Sequence, residues 1–322
     1  MNRTLIVAIL LAVSAQALAQ DFPRMRWDPG TEDCTPAQQR TEAHAYDETT
    51  IIIRQNPCVD PEANFLYLLI GEERALLIDS GASDDPRITA ELTALVSEYL
   101  EDEDSRLPLV VAHTHSHGDH TAGDAAFAAL PGTSVVPLEL EAMREYFGIE
   151  EWPHGGARFD LGNRLVEIIP TPGHHPDHIV FLDSHTRLLF SGDYLLPGRL
   201  LVDDIHAYAD SALRVHEAVL SYGVRYALGA HIEMNKAGEL YSGSASFHPD
   251  ERELPVKLGD YEARMFRGDL LDSNGFYNRH TDYVIVYPVH NLAALVVAVL
   301  AVLAMLWLLV RKLRARRRLQ GS

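Results

Sequence analysis

The run Val110-Val-Ala-His-Thr-His-Ser-His-Gly-Asp-His-Thr-Ala-Gly123 places His115, His117, Asp119 and His120 within six positions, directly after an apolar stretch of strand character. In an extended or tightly turned backbone, residues two apart point the same way, so His115 and His117 can offer imidazole nitrogens to one cation. Asp119 and His120, displaced along the turn, can reach a second cation beside it. Two cations roughly 3.5 to 4 Å apart hold a water between them, bring its pKa down towards about 7 and present it as hydroxide. The pattern is hydrolytic equipment.

Any single histidine among the 16 in this chain reads as a solvated turn residue. The set does not, because three further donors each follow an apolar run of their own: Arg164-Leu-Val-Glu-Ile-Ile-Pro-Thr-Pro-Gly-His174, Arg187-Leu-Leu-Phe-Ser-Gly-Asp193 and Arg225-Tyr-Ala-Leu-Gly-Ala-His231. Four strand ends that converge on polar donors describe a metal site at the rim of a sheet.

His-x-His-x-Asp-His, then a distant His, an Asp and a His, resembles the signature of the metallo-β-lactamase superfamily, and the likeness covers about Asn64 to Met234. The resemblance implies an α/β fold, a four-layer αββα sandwich with the active site along one edge. It implies His115, His117 and His174 on a first metal, Asp119, His120 and His231 on a second, and Asp193 bridging both. Asp119 and Asp193 would be the catalytic carboxylates, orienting the nucleophile or managing its proton. Asp79, after Arg74-Ala-Leu-Leu-Ile, matches the superfamily's early acidic motif and supports the site from behind the ligands. The cofactors implied are two divalent ions, zinc first, with iron or manganese as alternatives.

Asp193 at the bridging position resembles glyoxalase-II-like and lactonase-like enzymes more than true β-lactamases. Leu196, however, stands where the lactonases commonly carry Tyr, and few basic residues after His231 could build a glutathione-binding extension. The substrate class stays open among esters, thioesters, lactones and amides, all small molecules, with a β-lactam as an alternative. A mononuclear iron, sulfur-dioxygenase-like oxidoreductase is the alternative from another class. It often lacks second-site donors, whereas Asp119, His120 and His231 are all kept. A tethered interaction protein without activity fits the intact donor set least.

Weaker signals surround the motifs. His175 or His178 can orient a ligand, although His178 more simply opens the next strand, and His113 reads either as a strand residue or as a ligand's partner. Asp124 reads as a solvated helix face. His44, His154, His185, His206, His216, His248, His280 and His290 read as surface or loop histidines.

The elements that must position these groups are legible from periodicity. Strands are expected at Phe65 to Ile70, Arg74 to Asp79, Leu109 to Ala112, Arg164 to Ile169, Ile179 to Leu182, Leu188 to Ser191 and Arg225 to Leu228. Helices are expected at Pro86 to Tyr99, with Asp85 as N-cap, and at Thr121 to Leu130, Leu138 to Phe147 and Asp210 to Tyr222. Residues 235–290 show no period.

Two apolar segments frame the body. Leu5 to Val13 behind Arg3, with small residues at Ala17-Leu-Ala19, reads as a signal peptide over residues 1–19. Leu292 to Val310 is 19 consecutive apolar residues followed by the basic run Arg311 to Arg318. That fits a membrane-spanning helix with a cytoplasmic tail. The expected organisation is a signal peptide (1–19), an exported segment (20–63), a catalytic core (64–234), its extension (235–291), a transmembrane helix (292–310) and a basic tail (311–322). The body would face the periplasmic or other extracytoplasmic side of the cell membrane, on a single span.

With the six basic residues of the tail and Arg3 set aside, 20 basic residues face all 46 acidic ones, about −26 for the body. Such a field repels polyanions and counts against nucleic acid as a partner. Cys34 and Cys58, the two cysteines present, stand outside the metal motifs and can close a disulfide in an oxidising compartment.

Overall fold

The computed structural model describes residues 21–35, 41–102 and 105–320. The leader expected over residues 1–19 and the side chain of His290 lie outside the described residues. The first sheet takes its strands in the order β1 (Thr41–Asp47), β2 (Thr50–Gln55), β3 (Phe65–Ile70), β4 (Ala75–Ile78), β7 (Leu109–Ala112) and β8 (Thr133–Val135). The short hairpin β5 (Glu101–Asp102) and β6 (Ser105–Arg106) stands apart from it. The second sheet runs β15 (Pro255–Lys257), β14 (Tyr226–Gly229), β12 (Leu188–Gly192), β11 (Ile179–Asp183), β10 (Leu165–Pro170) and β9 (Ala157–Asp160). A third sheet joins β13 (Arg199–Leu201), β17 (Val284–Val286) and β16 (Tyr277–Arg279).

Burial alternation explains the layering. Successive strand side chains point to opposite faces, yet β2, β3, β4 and β7 are buried at nearly every position, so both faces of the first sheet must be covered. On its inner face Ile52, Phe65, Tyr67, Leu76 and Ile78 meet Val166, Ile168, Phe181 and Phe190 of the second sheet. On its outer face Ile51, Leu66, Leu68, Leu77 and Val111 pack under Leu92 and Val96 of α1 (Pro86–Leu100). The second sheet's other face, Val180, Leu182, Leu189 and Ala227, lies under α5 (Ile205–Tyr222) and α6 (Asp260–Leu271). Each fully buried aliphatic or aromatic side chain contributes roughly 1.5–3 kcal/mol. The result is the four-layer αββα sandwich.

Arg164 ties the two sheets. It donates from Nε and Nη2 to the Asp183 carboxylate at 3.0 and 2.8 Å, while Nη1 reaches the Thr49 carbonyl at 2.6 Å and Nη2 the Thr50 hydroxyl at 2.7 Å.

Several boundaries differ from the periodic reading, each for a local reason. The first sheet starts at Thr41, two strands before Phe65. α5 starts at Ile205 rather than Asp210, because the Asp204 side chain accepts from the His206 and Ala207 amides and caps it there. The helix expected over Thr121 to Leu130 is two short pieces, α2 (Gly118–Thr121) and α3 (Asp124–Ala128), followed by α4 (Leu140–Phe147). The break falls at Gly123, which lies so close to Ser80 that a Cβ would stand 2.2 Å from its carbonyl oxygen. The stretch 235–290, without period in the sequence, supplies β15, α6, β16 and β17. His248, read as a surface or loop residue, lies on a loop but is buried, stacked on Tyr241 and close to Glu251, whose carboxylate takes both Nη donors of buried Arg54. Asp124 is not merely a solvated face: it takes the Ser80 hydroxyl and lies 2.7 Å from His113 Nε2.

After Val286 the chain enters α7 (Val289–Gln320), of which Leu292–Lys312 is a 21-residue stretch of mean hydropathy 3.0 with no part buried. It is one helix long and apolar enough to cross a membrane. Cys34 and Cys58 form a disulfide.

Candidate metal centre

Each motif residue sits where a strand of one of the two sheets ends. The turn after β7 carries His115, His117 and, on α2, Asp119 and His120; the loop after β10 carries His174; β12 ends at Asp193 and β14 leads to His231. The sandwich brings these ends to one edge.

The donors form two groups that share Asp193. In the first, His115 Nε2, His117 Nδ1 and His174 Nε2 converge, with separations of 2.8, 3.2 and 3.2 Å. Tetrahedral nitrogen donors about 2.0–2.1 Å from one zinc lie roughly 3.3 Å apart, so this spacing suits a single cation. In the second, His120 Nε2 lies 2.9 Å from Asp119 Oδ2, and His231 Nε2 lies 3.5 Å from the same oxygen. Asp193 faces both ways: Oδ1 is 3.5 Å from His120 Nε2 and 3.2 Å from His231 Nε2, while Oδ2 is 3.5 Å from His174 Nε2. All seven residues fall into groups that could hold metal ions.

The residues fit such ions on a further count. His120 Nε2, His231 Nε2 and Asp193 Oδ1 are buried with no well-aligned hydrogen bond, their nearest polar neighbours being one another and Asp119, and a buried polar atom left so is costly. Here three of them aim at one point.

The opposite ring nitrogens are tied down, which frees the converging ones. His174 Nδ1 donates to the Leu201 carbonyl at 3.0 Å and His231 Nδ1 to the Glu62 carbonyl at 3.0 Å. Asp79 Oδ2 lies 2.8 Å from His120 Nδ1. The Thr114 hydroxyl donates to Asp79 and so accepts from His115 Nδ1 at 3.2 Å. Such outer bonds fix the tautomer and orientation of a ligating imidazole.

The two groups differ in charge. Burial, then the neighbouring imidazoles, pushes His115 well below the usual histidine range, and burial beside His174 and His175 lowers His117. Both rings stay neutral with a free lone pair. Burial also opposes charge on His120 and His231, but the carboxylates of Asp79, Asp193 and Asp119 outweigh it and hold both well above that range. For Asp119 and Asp193, burial favours the neutral acid, yet His120 and His231 overcome it and keep both ionised. A field that favours a proton on these rings favours a cation among them.

Backbone freedom is used at two points. Gly173 (φ +145°) packs on Tyr208, where a Cβ would come within 2.4 Å of the tyrosine Cβ, and Gly192 (φ +51°) packs on Thr114, where it would come within 2.6 Å of the threonine Cβ. Each glycine directly precedes a donor, His174 and Asp193.

Sequence reasoning passed over several contributors. Buried Asn64 donates from Nδ2 to the Asp119 carbonyl at 3.0 Å. Glu62, beside Asp119 and His231, has its carboxyl pushed up to about 7, by burial first and then by the Asp119 carboxylate. The Glu62 and Leu201 carbonyls are backbone groups, for which side-chain identity carries no signal. His178 stacks on His115 with ring centres 5.0 Å apart and lies 2.8 Å from the Thr171 hydroxyl, so it braces the site as well as leading into its strand. His175 pairs with Asp177.

Two facing sheets clad in helices, with a paired nitrogen-and-oxygen donor cluster at their common edge, define the class of scaffold. The chain belongs to the metallo-beta-lactamase superfamily, whose family model matches residues 59–265. It is similar to the beta-lactamase-like protein 2 homolog of Caenorhabditis elegans, 28% identical over 176 residues, covering 53% of this chain and 58% of the relative. It is similar to a hydroxyacylglutathione hydrolase of Francisella tularensis subsp. novicida, 33% identical over 132 residues, covering 41% and 47%. The lactamase-like protein adaB of Aspergillus niger is 30% identical over 211 residues, covering 62% and 55%. The chain spans about half the length of the curated relatives it matches. A solved metallo-beta-lactamase from Pontibacter korlensis superposes with a TM-score of 0.49 at 17% identity, covering 72% of this chain and 100% of that one.

Proposed function

We propose that the protein is a metal-dependent hydrolase of an ester, thioester, lactone or amide. Its ligands would be His115, His117 and His174 on one side and Asp119, His120 and His231 on the other, with Asp193 between. The observation that carries this reading is Asp193, whose two carboxylate oxygens face the two histidine groups separately. The donors are nitrogen and oxygen with no thiolate, a set that suits zinc and also admits iron or manganese. The relatives named as a hydroxyacylglutathione hydrolase and as lactamase-like proteins support hydrolysis.

Two such cations supply Lewis acidity, acidifying water to make a nucleophile at neutral pH and polarising the substrate oxygen. The chain's own part is placement. Asp119 Oδ2, ionised and anchored through Asn64, can accept a proton-bearing group and aim it. His117, the exposed member of the first group, marks the open side of the site.

We further propose a catalytic core over residues 64–234 with its extension over 235–291, behind an exported segment over 20–63. Residues 292–310 would anchor it in the cell membrane as a single span, with residues 311–322 cytoplasmic and the body on the periplasmic or other extracytoplasmic side. The Cys34–Cys58 disulfide supports an oxidising compartment, and the basic run after Val310 supports that orientation.

The test is elemental analysis of the full chain in detergent, beside turnover of thioester, lactone, β-lactam and phosphodiester panels. Two zinc ions per chain with hydrolysis of one acyl class bears the reading out. One iron per chain, oxygen consumption with a persulfide and no hydrolysis would replace it with oxygen chemistry.

A further inference from the structure

The third sheet links the candidate metal site to the apolar helix by a short path. The Leu201 carbonyl, which holds His174, belongs to β13. Leu201 pairs with Val286 of β17, and Val286 pairs with Tyr277 of β16, so the three form one row across the sheet. Directly paired residues share a face of a sheet. The neighbouring row contains Leu200 and Ile285, both fully buried; on the opposite face Val284 is buried too, Val286 is half-buried, and the row Leu201–Val286–Tyr277 opens outward at its two ends. Leu201 and Tyr277 are each 48% exposed, and Phe276, the residue before Tyr277 in the chain, is 37% exposed. This is an apolar stripe next to the site.

Its neighbour along the chain says what covers it. Six residues lead from Val286 to Leu292, where the apolar stretch of α7 begins, and six residues reach at most about 21 Å. A helix entering a bilayer at Leu292 therefore holds the stripe within reach of the headgroup layer. Tyrosine is favoured at that depth. The acidic body offers no general electrostatic pull towards anionic lipid, which leaves apolar and aromatic contact as the means of docking.

We propose that the exposed side chains of Leu201, Tyr277 and Phe276 rest in the headgroup layer of the bilayer that α7 enters. The metal site, one hydrogen bond away from Leu201 through His174, then lies close to the membrane surface and takes an amphiphilic acyl compound whose apolar chain remains in lipid. This rests on the hydrolase and membrane-anchor readings above. The reaction is hydrolysis: a carbon–oxygen bond forms from water, the bond from the acyl carbon to the leaving oxygen, sulfur or nitrogen breaks, and the leaving group departs with one of water's protons.

The docking is read first without activity. A nitroxide on Tyr277→Cys, in the full chain reconstituted in phosphatidylcholine vesicles, is compared with one on Leu220→Cys, on the outward side of α5; the native cysteines are engaged in their disulfide. Greater collision with dissolved oxygen than with a water-soluble nickel reagent at Tyr277, reversed at Leu220, is the expected result. Equal nickel access at both sites overturns the proposal, as does spin–spin broadening at Tyr277, which would mean that a second copy covers the stripe. In the second arm, Phe276→Ser with Tyr277→Ser lowers turnover of a long-chain ester in vesicles about tenfold by loss of local concentration, and leaves a short, water-soluble ester unchanged. Equal loss on both esters, or on neither, overturns it. If the wild type cleaves no ester, thioester, lactone or amide, the hydrolase reading fails while the nitroxide depths still decide the docking.

Discussion

Asp79 and His120 form a buried pair in which the Asp79 carboxylate, 2.8 Å from His120 Nδ1, also accepts the Thr114 amide at 2.7 Å. Asp79 sits at φ +65°, a left-handed conformation that costs a non-glycine residue on the order of 1–3 kcal/mol. The carboxylate bonds offset that strain and fix the ring's direction. Asp79→Ala should weaken binding of the second ion by about 10- to 100-fold, with the first ion little changed. Titration against a chromophoric chelator checks it; uniform loss of both ions would show that Asp79 acts on the whole edge.

His117 is exposed and its removal should cost little fold stability, within about 0.5 kcal/mol. His117→Ala should nonetheless strip the first ion and lower any hydrolase activity by orders of magnitude. Metal stoichiometry, melting temperature and rate measured on one sample separate these effects, and wild-type activity in the variant would refute the ligand set.

Cys34→Ser should do the reverse. It opens the Cys34–Cys58 crosslink and should remove about 3 kcal/mol of stability, while activity per folded molecule stays the same. Denaturant unfolding beside an activity assay reads both.

Gly192→Ala tests how tightly the two motifs are pressed together. The added Cβ meets Thr114 at 2.6 Å in a backbone conformation that disfavours alanine, so Thr114, and with it the His115 and Asp79 contacts, must move. The expected outcome is metal loss at near-native secondary structure, seen by elemental analysis and circular dichroism. Full metal content would show that the edge is more compliant than the contact implies.

The Arg164–Asp183 pair sets a pH dependence independent of the metal site. Burial opposes ionisation of Asp183, but the Arg164 bonds outweigh it and hold the carboxyl below its usual value. A depressed carboxyl stabilises the fold above its unfolded pKa of about 3.9. That stability is lost as pH falls through the lower folded value. Asp183→Asn should cost about 3–5 kcal/mol at neutral pH by stranding the buried guanidinium, and the difference from wild type should shrink as the pH drops below about 4. A constant difference from pH 7 to 3 would contradict this.

The His-x-His-x-Asp-His run and the three strand-end donors were legible because each residue type has few other reasons to stand there. Strands buried on both faces were legible as apolar runs. The sequence also carries an apolar segment long enough to span a bilayer and two cysteines clear of the metal motifs. What it could not show is whatever depends on partners far away in the chain. Asn64 and the Glu62 and Leu201 carbonyls join the site only because the two sheets close face to face. Asp124 read as a solvated helix face and His248 as a surface or loop residue, because Ser80 and His113 for the one, Tyr241 and the Glu251 held by Arg54 for the other, meet them only in the folded chain. The stretch 235–290 has no period because its short elements are stabilised by packing on the sandwich rather than by their own propensity. Which donors can exist is a matter of residue type and spacing, whereas which of them meet is decided by packing, since only the closed sandwich brings four strand ends to one edge.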